Sequence, residues 1–290
     1  MLCTQCPRCC GADRDNGEHG FCGTDARFLV ARAALHPWEE PPISGKNGSG
    51  TIFFGGCNLH CVFCQNRAIS EGGVGTLMSE AELTDTCLRL ADEGAHNINL
   101  VTPSHYAYQL ASLLQKIKHK IPIPIVWNSS GYESVDALRA LCGLVDIYLP
   151  DVKYFSSELS AAYSAAPDYY AVAVKALGEM LRQTGKPRMN DDGTLLLGGT
   201  VVRHLVLPGC RKDSIALLRS LRDTFGSDAF LLSLMGQYTP DFAMDAPFEN
   251  LHRRLTSFEY DSVLAVADEC GFQGFSQSLS SASARFTPDF

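Results

Sequence analysis

Three cysteines fall within eight positions of "GCNLHCVFCQN", residues 56–66: Cys57, Cys61 and Cys64, spaced C-x3-C-x2-C. A structural zinc ion takes four protein ligands, so a lone trio leaves one missing. A cubane iron–sulfur cluster has four irons, and each can take one outside ligand. Three thiolates would fill three of them and leave the fourth open to a small molecule. The competing readings are a zinc knuckle that borrows a distant ligand and a simple crowd of buried thiols.

A second set of thiols comes earlier. "CTQCPRCCGADRDNGEHGFCG" carries Cys3, Cys6, Cys10 and Cys22, with Cys9 beside Cys10, so one ligand is ambiguous by a residue. A short polar segment cannot build its own core, and a metal can supply the missing stability. Zinc and a second iron–sulfur cluster both suit four thiolates. Cys87, Cys142, Cys210 and Cys270 are scattered and are expected to be small apolar core residues.

Twelve cysteines in a chain whose first residues lack the apolar stretch of an export signal point to metal rather than disulfides. The expected location is therefore cytoplasmic. The chain has 290 residues, 46% of them hydrophobic and 19% charged, which fits a globular protein with a large core. A net charge of -8 argues against nucleic acid and anionic membranes as partners. No apolar run reaches the roughly 18 residues of a membrane-spanning helix.

The elements that must position these thiols alternate along the chain. Apolar runs predict strands at 51–56, 97–102, 123–129, 145–153, 200–209 and 229–236. Helical spacing predicts helices at 79–93, 104–119, 134–143, 169–184, 212–224 and 258–270, the first opened by a capping box of Ser79 and Glu82. Residues 36–50, "HPWEEPPISGKNGSG", read as a Pro- and Gly-punctuated connector. Strand–helix alternation implies parallel strands with right-handed crossovers. Six units are too few for a closed eight-stranded barrel, so the expected fold is α/β, a partial (β/α)6 TIM-like barrel, with a doubly wound sheet as the alternative. The domains expected are a cysteine-rich metal-binding segment at 1–35 and the barrel at 36–290. The cluster loop follows a strand, which places it at the C-terminal face where such folds bind ligands.

"CNLHCVFCQN" resembles the cluster loop of the radical S-adenosylmethionine (radical SAM) superfamily, where the motif is C-x3-C-x-aromatic-C and Phe63 stands at the aromatic position. The resemblance covers roughly residues 50–240. It implies a 4Fe-4S cluster on Cys57, Cys61 and Cys64 with SAM chelated to the open iron. It further implies reductive cleavage of SAM to methionine and a 5'-deoxyadenosyl radical that takes hydrogen from a substrate. "LVTP" at 100–103 matches the stretch that holds the SAM amino group, which implies roles for Thr102 and Pro103. "WNSSG" at 127–131 places Asn128 and Ser130 near SAM. "LPDVK" at 149–153 implies that Asp151 and Lys153 point into the barrel mouth as catalytic groups. "VVRHLVLPG" at 201–209 offers Arg203 to the SAM carboxylate, since a guanidinium fork suits a carboxylate. Gln237 and Tyr238 are expected to face the substrate, and His105 and His204 to be polar strand-end groups. His60 is expected on the cluster loop, and His96 at the surface.

The spacing of Cys6, Cys10 and Cys22, with the later "ARAALHPWEEPPISG", resembles a subgroup described as pyruvate formate-lyase activating-enzyme-like. That implies a glycine of a glycyl radical enzyme as substrate and an electron donor such as flavodoxin or ferredoxin. Established activating enzymes carry Asp-Gly-Pro-Gly-x-Arg before the cluster loop, and this chain does not. The alternatives are radical SAM modification of a peptide or small metabolite, and a non-catalytic iron–sulfur or zinc module that transfers electrons or binds a partner.

Overall fold

The structure, a computed structural model, describes residues 2–277 and 279. The described strands are β1 Phe28–His36, β2 Ser49–Phe54, β3 Thr76–Met78, β4 Ile98–Val101, β5 Ile125–Ser129, β6 Ile147–Pro150, β7 Arg188–Met189, β8 Leu196–Leu205, β9 Leu231–Met235 and β10 Gly274–Ser276. Between them run α1 Pro41–Ser44, α2 Arg67–Ser70, α3 Glu80–Asp92, α4 Ala107–Ile117, α5 Val135–Ala140, α6 Ser157–Ser164, α7 Tyr169–Thr184, α8 Arg211–Phe225 and α9 Ser257–Glu269.

The sheet is ordered β10-β9-β8-β6-β5-β4-β2-β1-β3, with β7 paired to β8. From β2 to β10 every neighbour on that path is parallel. The six strands expected from the alternation are β2, β4, β5, β6, β8 and β9, in that spatial order. The fold is thus α/β with a mostly parallel, open sheet. β1 and β3 extend it antiparallel beyond β2. The sequence reading placed no strand at 28–36 and no helix at 157–164.

Period-2 patterning decides which face each side chain takes. Ile52, Phe54, Ile98, Leu100, Ile125 and Trp127 turn outward and are buried under Leu83 and Leu90 of α3 and Leu110 and Leu114 of α4. A second core joins Val202, Leu232 and Leu234 to Leu217 and Leu221 of α8 and Val263 of α9. α3 begins at the expected capping box: Ser79 accepts from the Glu82 N–H, and Glu82 accepts from the Ser79 N–H.

The inward face holds a correction. Residues 37–48, expected as a plain connector, do join β1 to β2 but also fill the barrel. Ile43 is fully buried against Val126, Ile147, Leu149, Leu196 and Val201. Burying a side chain of this size contributes about 2 kcal/mol. Asn97 Nδ2 donates to the Ile43 carbonyl at 2.7 Å, and the Glu39 N–H donates to Ser44 Oγ at 2.9 Å. The prolines that suggested a linker open α1, where a missing N–H costs nothing.

Candidate active site

The loop after β2 is held from three sides. Gly56 has φ 84°, and a Cβ there would lie 2.4 Å from the Cys22 carbonyl oxygen, so only glycine lets the N-terminal segment approach. The Cys57 N–H donates to that carbonyl at 3.2 Å. Asn58 is 1% exposed. Its Nδ2 donates to the Tyr132 carbonyl at 2.8 Å, its Oδ1 accepts from Ser130 Oγ at 3.4 Å, and its carbonyl accepts from Arg8 Nε at 2.8 Å. Beneath the loop, His105 Nε2 donates to the Gly55 carbonyl at 2.9 Å. Burial, aided by the Arg14 charge, pushes His105 down to about 3, so it is a neutral strut.

The three loop thiols are partly buried and lie within electrostatic reach of one another. Burial, together with the neighbouring Cys61 and Cys57, pushes Cys64 up to about 12. Burial and Cys61 likewise raise Cys57. Crowded thiols of this kind ionise when a metal supplies the opposing charge. Ser164 Oγ donates to Cys61 Sγ at 2.9 Å. Phe63 is 8% exposed and meets Tyr154, Tyr163 and Tyr238 edge-on, so it anchors the loop in an aromatic box. Among the described residues no three His, Cys, Asp or Glu side chains are arranged to hold a single metal ion. Cysteines of a cubane bind separate irons, so their sulfurs need not converge on one point. The soft, crowded thiol trio fits an iron–sulfur cluster.

Charged and polar groups from the ends of three strands meet beside it. Lys153 Nζ donates to Asp151 at 2.6 Å, and Arg203 Nε donates to the other Asp151 oxygen at 2.8 Å. Arg203 Nη2 donates to Asn128 Oδ1 at 2.6 Å. Burial alone would raise Asp151, but Arg203 and Lys153 outweigh it and hold the carboxyl below its usual range. Burial would lower Lys153, but Asp151 and the Cys61 thiol keep it above its ordinary value and therefore charged. The ammonium is thus bonded to Asp151 and within electrostatic reach of Cys57 and Cys61.

Two residues missed in the sequence complete this array. Glu39, 8% exposed, lies 3.5 Å from Arg203 Nη1 and accepts from Asn128 Nδ2 at 3.3 Å. The Glu40 side chain, 4% exposed, lies 4.0 Å from the same Nη1, and its Oε2 finds no hydrogen-bond donor among the described residues. Burial raises both carboxyls. Arg203 therefore has all three nitrogens engaged within the protein, rather than offering an empty fork. The only sequence signal was an acidic pair before two prolines. A cavity of about 120 Å³ opens here, lined by Trp38, Glu39, Gln65, Asn128, Arg203 and Gln237 among others. It borders the residues that follow Cys64.

The remaining expectations divide. Thr102 has φ 58°, and its N–H donates to the Asn128 carbonyl at 2.9 Å, so it joins the ends of β4 and β5. Pro103 is buried at the next turn. Tyr238 does not face an open site: it is 3% exposed and donates to the Leu251 carbonyl. His204 is likewise buried, its Nδ1 at 2.7 Å from the Val152 carbonyl. His60 stacks on Phe21, and His96 accepts from the Asn47 N–H. Of the scattered cysteines, Cys87 and Cys210 are buried and Cys270 is half-buried, but Cys142 is exposed.

The family model described as the radical SAM superfamily matches residues 51–209. The chain belongs to the radical SAM superfamily. Membership makes it an enzyme family, with a 4Fe-4S cluster and SAM as the implied cofactors. The match is to the superfamily as a whole and does not single out the activating-enzyme subgroup. An uncharacterized protein of Methanocaldococcus jannaschii, MJ0674, is 26% identical over 283 residues, covering 92% of this chain and 74% of the relative. Among solved structures, methylornithine synthase (PylB) is similar at TM-score 0.51 and 16% identity, covering 73% of this chain and 59% of that one. Streptococcus suis SuiB bound to S-adenosylmethionine is similar at TM-score 0.52 and 12% identity, covering 78% and 49%. This chain spans about half of those two proteins, and the likeness is one of fold. No described helix is long and apolar enough to cross a membrane.

Proposed function

We propose that this radical SAM protein cleaves SAM reductively and removes a hydrogen atom from a peptide substrate, a glycine of a glycyl radical enzyme being the first candidate. The observation that carries the reaction class is the meeting of the C-x3-C-x2-C loop with Asp151, Lys153, Asn128 and Arg203 at the ends of parallel strands. Cysteines 57, 61 and 64 would hold the cluster, and SAM would lie between it and the strand ends. Together, cluster and SAM supply one-electron cleavage of a carbon–sulfur bond followed by hydrogen abstraction.

The chain's own groups do the positioning. Lys153, fixed by Asp151, presents a positive charge toward the thiolates. Asn128 and Arg203 set the floor of the site, and Ile43 of the residue 37–48 plug packs beneath it. What supports a peptide substrate is a groove of about 890 Å³, lined by Phe155, Tyr163, Arg211, Asn250 and Phe258 among others. Its wall residue Tyr163 also packs on Phe63 and accepts, through its carbonyl, from the Val62 N–H. The groove and the cluster loop are thus two sides of one partition.

The test is anaerobic. Protein reconstituted with iron and sulfide is reduced and given SAM, and 5'-deoxyadenosine is measured for wild type and Cys57→Ala. Cleavage that the variant loses supports the reaction class. Peptides with α-deuterated glycine then report the substrate. Deuterium in the 5'-deoxyadenosine supports a peptide, and cleavage without it on any glycine peptide would sink that part.

A further inference from the structure

We propose that Cys3, Cys6, Cys10 and Cys22 hold a second 4Fe-4S cluster, docked directly on the radical SAM cluster loop. The N-terminal segment is no loose tail. The Cys3 N–H donates to the Ala12 carbonyl at 3.0 Å and the Gly11 N–H to the Cys3 carbonyl at 3.2 Å, which folds the segment back on itself. Cys3 and Cys10 are within hydrogen-bond reach. A Cβ on Gly20 would lie 3.2 Å from the Cys10 sulfur and 3.5 Å from the Cys22 sulfur, so Gly20 sits between those two thiols with no side chain. Cys6 is buried and has Cys22 and Cys3 as its charged-form neighbours. Cys9 turns its thiol back to the Cys6 carbonyl at 3.5 Å instead. The ligand ambiguity therefore resolves to Cys10.

An independent observation points to an anion at this place. Arg14 is 3% exposed, yet its guanidinium donates to carbonyls of Thr24, Asp25 and His105, to Thr24 Oγ1 and to the Cys3 sulfur at 3.9 Å, with no carboxylate among its described partners. Arg8, only half-buried, donates to carbonyls of Asn58, Ser164 and Ala165 and stacks on Phe21 and Tyr132, which ties the segment to the cluster loop. A buried cation without a counter-ion is costly. Four thiolates around a dicationic centre leave a net charge of about -2, opposite in sign to the Arg14 guanidinium beside Cys3.

The position of the segment suits a cluster better than zinc, which has no redox chemistry. The two thiol sets are joined by hydrogen bonds from the Cys57 N–H to the Cys22 carbonyl and from Arg8 Nε to the Asn58 carbonyl, and by the Phe21–His60 stack. A redox centre held this way stands against the loop that the electron must reach.

The position gives the second cluster a task, which rests on the radical SAM reading. A low-potential donor protein of the flavodoxin or ferredoxin kind loses one electron. The N-terminal cluster takes it and passes it on, returning to its starting state, and the loop cluster is left reduced by one electron for SAM cleavage.

The experiment counts iron, sulfide and zinc in three anaerobically reconstituted proteins: wild type, Cys57→Ala/Cys61→Ala/Cys64→Ala, and Cys3→Ser/Cys10→Ser. The expected result is about eight irons in the wild type and about four, with matching sulfide, in each variant. Cys9→Ser keeps the full complement. Electron paramagnetic resonance of the reduced wild type should show spin coupling that both multiple variants lose. One zinc and no iron in the loop variant would overturn the cluster, and so would no metal at all. The N-terminal variant is the control on the main reading: if the loop variant loses all iron while the N-terminal variant keeps four, the radical SAM centre stands and this proposal falls. If the N-terminal variant fails to fold, the loop variant's own metal content still decides.

Discussion

Asp151 bridges two cations, holding Arg203 Nε at 2.8 Å with one oxygen and Lys153 Nζ at 2.6 Å with the other. All three side chains are under one-fifth exposed, so neither cation has water as a full substitute. Asp151→Asn should therefore destabilise the protein by about 3 kcal/mol, as expected when one partner of a buried pair is removed. It should also abolish SAM cleavage. Urea unfolding checks the first effect. An unchanged midpoint would mean that Arg203 is held by Glu39 and Glu40 alone.

Gly131 carries φ 73°, and a Cβ there would lie 2.2 Å from the Asp151 carbonyl oxygen. Backbone cannot swing aside as a side chain does. Gly131→Ala should move the β5 and β6 ends apart, cost about 2 kcal/mol or more, and raise the apparent Kd for SAM. Equilibrium dialysis of the loaded protein measures the second quantity directly.

Ser164 Oγ donates to Cys61 Sγ at 2.9 Å. Hydrogen bonds to cluster sulfurs favour the reduced state, because they stabilise added negative charge. Ser164→Ala should shift the midpoint potential of the loop cluster to more negative values, with the iron count unchanged. A redox titration followed by paramagnetic resonance would show it, and a positive shift would contradict the role.

His105 supplies a pH dependence. Its folded value is near 3, against an ordinary value near 6.5, because burial opposes its charge. The unfolded chain then binds the proton more readily, so stability falls as pH drops below about 6.5 and keeps falling until about 3. Between pH 6.5 and 5 this amounts to about 2 kcal/mol. His105→Gln, which keeps a donor for the Gly55 carbonyl, should flatten that slope in denaturant titrations of the metal-free protein.

The chemistry-bearing loop and the strand order were legible because both are written locally. Cys57, Cys61 and Cys64 lie on one turn, and apolar runs such as Ile52–Phe54 carry their own period. β1 was not, since Arg32 and the alanines of "FLVARAALH" dilute the apolar alternation of a strand that is half-exposed along most of its length. Glu39 and Glu40 were unreadable for a different reason: their partner Arg203 is 164 residues away, and nothing near the prolines records it. Nothing in the sequence marked out Arg14, whose burial beside the Cys3 thiol is what separates a built site from a tail. Tyr238 went wrong because a strand-end position gives no hint of the Leu251 carbonyl that holds its hydroxyl inward.

The plug has a consequence for biosynthesis. Glu39 leaves the ribosome early, but Arg203 follows only 164 residues later. At about 5–20 residues per second that is a wait of roughly ten to thirty seconds. Through that interval Ile43 can already pack on Val126, Ile147 and Leu149, but Glu39 and Glu40 have no cation and the floor beside the cluster loop lacks Arg203. The centre is complete only once β8 supplies Leu196, Val201 and Arg203. An iron–sulfur cluster inserted before that moment would meet an open, solvent-washed loop; one inserted afterwards would meet a finished mould. The order of translation therefore favours late metallation of a nearly complete chain.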